Sequence, residues 1–168
     1  MIIPIGKHKG KSVEWLVLNK PDYVKWVLEL PAPYGALAAI KSQALRLISL
    51  FDSKHIVKPC TNRNCSRAAI QFSGYKGNPW CYYAWCDTCD PYRAGAAPWK
   101  LTIIKTYTDA LKFIQRHCDG RRSDYRLAID TIARAKGFPE RSSPPRIRKF
   151  FGEDVEPDAG EAVSQLVR

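Results

Sequence analysis

Carboxylates are scarce where a nucleic-acid enzyme would need them. Across residues 1–100 only Glu14, Asp22, Glu29, Asp52, Asp87 and Asp90 are acidic. They do not form the grouped set that holds two catalytic metal ions, which leaves a metal-dependent nuclease as a minor reading. Histidine is also sparse, and His8, His55 and His117 stand apart from any obvious Ser or Cys partner. No Walker loop, dinucleotide fingerprint or nucleophile elbow occurs, so those enzyme classes lose support. No apolar run approaches the roughly 20 residues of a membrane helix. The opening MIIPIGKHKG lacks the apolar core of a secretory signal, and a cytoplasmic protein without membrane partners is expected. There is no internal repeat.

Positive charge, by contrast, is abundant. The 168 residues carry 27 Lys+Arg against 16 Asp+Glu, a net charge of +11. It is unevenly spread: residues 1–149 hold +15, and residues 150–168 hold one Arg and five acids. A basic body with an acidic tail points to a polyanion, with nucleic acid first and an acidic protein surface second. A hydrophobic fraction of 45% suits a folded domain.

Four parts follow along the chain. Residues 1–58 open with a short strand candidate, Ile2 to Ile5, and the basic turn Gly6-Lys7-His8-Lys9-Gly10-Lys11. Ser12 is an N-cap for a helix over Val13 to Asn19, and Pro21 starts a second, ended by Pro31 and Pro33. Leu37, Ile40, Ala44, Leu47, Ile48 and Phe51 share one face of a helix over Ala36 to His55. That face is expected to pack on Trp15, Tyr23 and Trp26. Residues 59–93 read as short strands, Arg67 to Phe72 and Trp80 to Trp85, joined by Ser73 to Pro79. Residues 94–137 read as a strand over Leu101 to Lys105 and helices over Thr108 to Cys118 and Ser123 to Lys136, the second capped by Ser123. Residues 138–168 show little periodicity and are expected to be largely disordered, apart from a possible short helix.

Four of the six cysteines have metal-ligand spacing. Cys60-x4-Cys65 is followed, after 20 intervening residues, by Cys86-x2-Cys89. Such pairs wrap one tetrahedral ion, and the intervening chain is long enough for a strand, a turn and a return strand. This is the layout of a zinc ribbon with a structural Zn²⁺. Cys81 with Cys86 is a competing pair, and His55 can substitute for a ligand. Arg63, Arg67, Lys76 and Arg93 accompany Tyr75, Trp80, Tyr82, Tyr83, Trp85 and Tyr92 in this region. Cations meet phosphates and ring faces stack on unpaired bases, although the same rings also suit a core. Alternation places Tyr75 and Lys76 outside, and Trp80 and Trp85 inside.

The opening IPIGKHKGKSVEWLVLNKPDYVKWVLEL resembles the C-terminal domain of exodeoxyribonuclease X and related small bacterial and phage proteins. The resemblance lies in Gly6 to Lys11 and then Pro21, Asp22, Tyr23 and Trp26. The chain departs from it in having Lys20-Pro21-Asp22 where Asp-Pro is common, and the match covers under a fifth of the chain. It implies an accessory nucleic-acid role and not nuclease activity. In overall character the chain is also similar to the zinc-binding, large-subunit-like component of type IV CRISPR effector complexes.

A second cationic group, Arg116, His117, Arg121, Arg122 and Arg126, surrounds the gap between the last two helices, with Arg134 and Lys136 beyond it. A third, Arg141, Arg146, Arg148 and Lys149, flanks Pro144-Pro145. Any of these groups also reads as a solvated basic face. Cys118 reads as a packed residue.

These readings give a small α+β protein with an inserted zinc ribbon. The expected function is non-catalytic nucleic-acid binding, with DNA ahead of RNA, as an accessory subunit of a prokaryotic or phage nucleoprotein complex. The contact candidates are Lys7, Lys9, Lys11, Arg63, Arg67, Tyr75, Lys76, Tyr83, Arg116, Arg121, Arg122 and Arg126, and the metal ligands Cys60, Cys65, Cys86 and Cys89. The alternative is a protein-binding module, or a phage-encoded inhibitor, docking on an acidic partner.

Overall fold

The computed structural model describes residues 1–89, 98–140 and 142–152. Among these residues, six α-helices and a small antiparallel sheet make it an α+β protein. Helices α1 (Val13–Asn19) and α2 (Pro21–Glu29) meet at Lys20, which ends one and begins the other. The Ser12 hydroxyl accepts from the Trp15 amide and caps α1, while Pro21 loses nothing by lacking an N–H in the first turn of α2. Helix α3 (Gly35–Ser53) buries Ile40, Ala44, Leu47, Ile48 and Phe51 on one stripe, as its periodicity predicts. It packs on α1 and α2. Of the three rings expected beneath it, Trp26 instead stands 46% exposed.

Strands β1 (Gln71–Tyr75), β2 (Tyr82–Trp85) and β3 (Leu101–Ile104) form one sheet in the order β2-β1-β3. Its inner face carries Phe72 and Gly74 from β1, against Phe113 of α4 (Tyr107–His117). Helix α5 (Arg122–Ala135) packs on α1, α2 and α4. A final helix, α6 (Pro144–Phe150), buries Ile147 and Phe150 and is followed by buried Phe151. One core thus runs from Ile3 to Phe151.

Several expectations need correction. Ile2 to Ile5 form no strand; Ile2 makes an isolated bridge to Ser12. The first ribbon strand starts at Gln71 and continues through Ser73 and Gly74, residues that read as turn, because Gly74 lets Phe113 approach. Trp80 is 63% exposed, since β2 begins only at Tyr82 and Pro79 is buried in its stead. Tyr75 and Lys76 are half-buried, as the 75–77 turn rests on Lys100 and His117. Helix α5 starts at Arg122, not after Ser123: the buried Asp124 carboxylate accepts from the Arg121 amide at 3.1 Å and sets the first turn earlier. The short helix allowed for after residue 138 is present as α6, because Ile147, Phe150 and Phe151 supply an apolar face. Tyr92, Arg93, Arg141 and the acidic residues of the tail lie outside the described residues.

Candidate metal centre and cationic surface

The first cysteine pair sits on a narrow loop. Cys60 N–H donates to the Arg67 carbonyl at 3.0 Å, and Cys65 N–H to the Asn62 carbonyl at 2.9 Å. An Asn62 side-chain turn onto the Asn64 amide at 3.1 Å shortens the loop, so four intervening residues still bring both sulfurs to one point. The loop is tied to β2 by Thr61 N–H to Ala84 O at 2.8 Å and by Ala84 N–H to Thr61 Oγ1 at 3.0 Å. The second pair follows β2 directly.

The ligand atoms of Cys60, Cys65, Cys86 and Cys89 all lie within 4.8 Å of one another. Cys65 and Cys86 sulfurs are 3.8 Å apart. The edge of a tetrahedron with 2.3 Å metal–sulfur bonds is about 3.8 Å. A disulfide would need about 2.05 Å, and all six cysteines are free thiols. These residues therefore fit a metal ion. Cys81 is not among them: its thiol donates to the Tyr83 hydroxyl at 3.1 Å. His55 is exposed and lies outside the set.

The surroundings prepare thiolates. The Thr88 hydroxyl, 3.5 Å from the Cys86 sulfur, with the Thr88 and Cys89 amides, lowers Cys86 to about 6. The Arg67 amide and side chain hold Cys65 below its ordinary range. At Cys89 the Asn62 amide, 3.4 Å away, favours the thiolate. Desolvation and the three neighbouring sulfurs outweigh it and push Cys89 up to about 11. Four sulfurs this close cannot all ionise unless a cation replaces their protons. Trp85 closes the inner side of the centre; its indole N–H donates to Ser73 Oγ at 2.8 Å in a small cluster with Cys60 and Cys86. Asn62 and Thr88 were missed as sulfur partners in the sequence, although each lies two residues after a ligand.

The cationic candidates divide into three neighbourhoods. Arg63 and Arg67 lie exposed on the first cysteine loop, Arg67 also pairing with Asp87 at 3.7 Å. Arg116 joins Lys76 beside His117, whose pKa is lowered by desolvation and then by these two cations. Lys100 Nζ stands 5.9 Å from the Tyr75 ring centre in the same place. Tyr83 is on the outer sheet face, on the side of Trp85.

The third neighbourhood unites distant segments. Glycines 6 and 10, at φ 78° and 81°, fold the basic turn, which is pinned by Ile3 N–H to Lys11 O at 2.9 Å and Gly10 N–H to Ile3 O at 3.0 Å. Lys7, Lys9 and Lys11 are exposed on it. Its His8 packs edge-on to Tyr23 at 4.8 Å between centroids and senses Lys20, Lys7 and Asp22. Arg122 reaches the same Asp22 at 3.6 Å from the start of α5. Arg121 pairs with Asp119 at 2.9 Å, and Arg126 lines a groove of about 430 Å³ with Leu18, Asn19 and Ser123. Cations at the positive end of α5 oppose its dipole, so an anion there is favoured.

No family model, curated protein or solved structure matches this chain. Among the described residues no helix is long and apolar enough to cross a membrane.

Proposed function

We propose that this protein is a non-catalytic, zinc-containing nucleic-acid-binding subunit of a prokaryotic or phage nucleoprotein complex, with DNA ahead of RNA as its ligand. The observation that carries the reading is the approach of two cationic segments to the start of α2. His8 of the 6–11 turn packs on Tyr23, and Arg122, more than a hundred residues later, pairs with the adjacent Asp22. Asp119 and Asp22 pair with Arg121 and Arg122, and the remaining cations leave the surface positive, which suits phosphates. Lys7, Lys9, Lys11, Arg121, Arg122 and Arg126 are the phosphate contacts of this surface. Arg63, Arg67, Tyr75, Lys76, Tyr83 and Arg116 extend contact towards the ribbon.

Zinc is the ion assigned to the four thiols, because soft thiolates in a closed tetrahedral set favour it. With four protein ligands it has a structural role: it holds the two cysteine loops together. A cytoplasmic setting keeps these thiols reduced. The likeness of the opening to the exodeoxyribonuclease X module, and the broader analogy to CRISPR effector subunits, agree with an accessory role.

Exposed Trp80 and Trp99, at 63% and 71%, favour a second reading as a protein-docking module, since exposed Trp is a common interface anchor. Fluorescence anisotropy against labelled duplex and single strands at two salt concentrations separates the readings. Salt-sensitive binding is expected. Lys9→Glu with Lys11→Glu, and separately Arg122→Glu, should each weaken it and flatten the salt slope by about one per lost phosphate contact. Unchanged affinity in both variants would exclude this surface, and no binding by the wild type at low salt would favour the protein partner.

A further inference from the structure

Four rings stand in a row beside the basic turn. Trp15 and His8 are 6.2 Å apart, His8 and Tyr23 4.8 Å, and Tyr23 and Trp26 5.3 Å. Lys11 Nζ covers the Trp15 end at 5.5 Å from the ring centre. Trp15 and Tyr23 lean on the main core, which accounts for them as packing residues. Trp26 does not belong to that core. Helix α2 buries Pro21, Val24 and Val27 and leaves Trp26 46% exposed at the open end of the row.

We propose that this row is a stacking site for unpaired nucleotides, with Trp26 as its outer platform. The inference rests on the nucleic-acid reading above and adds the strand type. Duplex bases are already stacked on one another, so an exposed aromatic face gains little from a duplex and much from a single strand. The charge beside the rings selects the ligand. Lys7, Lys9, Lys11 and Lys20 lie along the turn and the α1–α2 junction, and the two carboxylates of α2, Asp22 and Glu29, are engaged by Arg122 and Lys25. Aromatic faces with cations at the Trp15 and His8 end of the row suit the bases and phosphates of one strand. The turn is held by four backbone hydrogen bonds, at Ile3, Lys9, Gly10 and Lys11, so the row is in place before a strand arrives.

The test uses the full chain, loaded with zinc, against labelled oligothymidylate and a mixed-sequence duplex. Trp26→Ala should weaken oligothymidylate binding by roughly 5- to 100-fold, the range for losing one stacked base, with the salt slope unchanged. Duplex affinity should stay within about twofold, and Trp26→Phe should recover most of the loss. Thermal melts of both variants check that the fold is kept. Equal losses on both ligands, or no loss on the single strand, would overturn the stacking site while leaving the cationic surface standing. A wild type that binds neither ligand at low salt would overturn the site together with the nucleic-acid reading.

Discussion

Gly74 shows how one residue without a side chain fixes the contact between sheet and helix. A Cβ built there would come within 2.7 Å and 2.9 Å of the Phe113 ring and 3.0 Å of Ile104 Cδ1. Gly77, three residues later, has open space around it but a φ of +80°. The two glycines are therefore needed for different reasons, close approach and backbone conformation. Gly74→Ala should cost about 1–3 kcal/mol in urea unfolding, because the crowded partner is a ring buried among other rings. Gly77→Ala should cost about 1–2 kcal/mol, the strain of a left-handed residue. A neutral Gly74→Ala would mean that Phe113 shifts freely. The sequence shows both glycines in what reads as one turn; only the neighbouring helix tells them apart. Tyr107 is similar: fully buried, it donates its hydroxyl to Val17 O at 2.8 Å while its amide donates to Asp52 at 2.7 Å. Nothing local announces partners so distant in the chain.

At the scale of elements, the cysteine loops were legible because ligand spacing is a local property, fixed by how far a chain must turn around one ion. The choice of Cys60 and Cys65 over Cys81 was not local. Both options have four intervening residues, and the decision comes from β2, which sends the Cys81 thiol to Tyr83 and delivers Cys86 to the opposite loop. Purified protein should carry about one zinc per chain. Cys86→Ser should lose that metal and lower the melting temperature, whereas Cys81→Ser should keep it, as read by metal analysis and calorimetry. Chelation should abolish amide protection at Thr61 and Ile70, which bond to β2, and leave the helical far-UV signal largely intact, because the helices share the larger core. Retention of full metal by Cys86→Ser would remove it from the centre.

At the scale of the whole molecule, α1, α3 and the N-terminal ammonium meet at a buried carboxylate. Glu14 is 1% exposed and accepts from Gln43 at 3.1 Å and from the N-terminal ammonium at 3.3 Å. Desolvation pushes its carboxyl up, but hydrogen bonds from its own amide, Gln43 and Ser12, with the ammonium charge, outweigh it and hold the group below its ordinary value of 4.5. A carboxyl depressed in the folded state stabilises the fold above its unfolded value. That stabilisation disappears as pH falls through the depressed folded value. Stability should therefore decline as pH drops below 4.5, and Glu14→Gln should show a shallower decline over the same range, measured by thermal melts at several pH values. An identical acid profile in the variant would show that Glu14 contributes no pH dependence.

The sequence by itself determined the helical stripes, the Ser12 cap, the helix start at Pro21, the metal-ligand pattern and the excess of positive charge. Each depends on neighbours a few residues apart or on composition. Tertiary structure decided where the charge collects. In the sequence, Arg116, Arg121, Arg122 and Arg126 form one group; folded, Arg116 goes to Lys76 and Arg122 to Asp22. The α2–α5 contact brings the second of these beside the 6–11 turn and its row of rings. Long-range packing fixes which surfaces adjoin, because burying the apolar faces of α2 and α5 together leaves their polar flanks side by side.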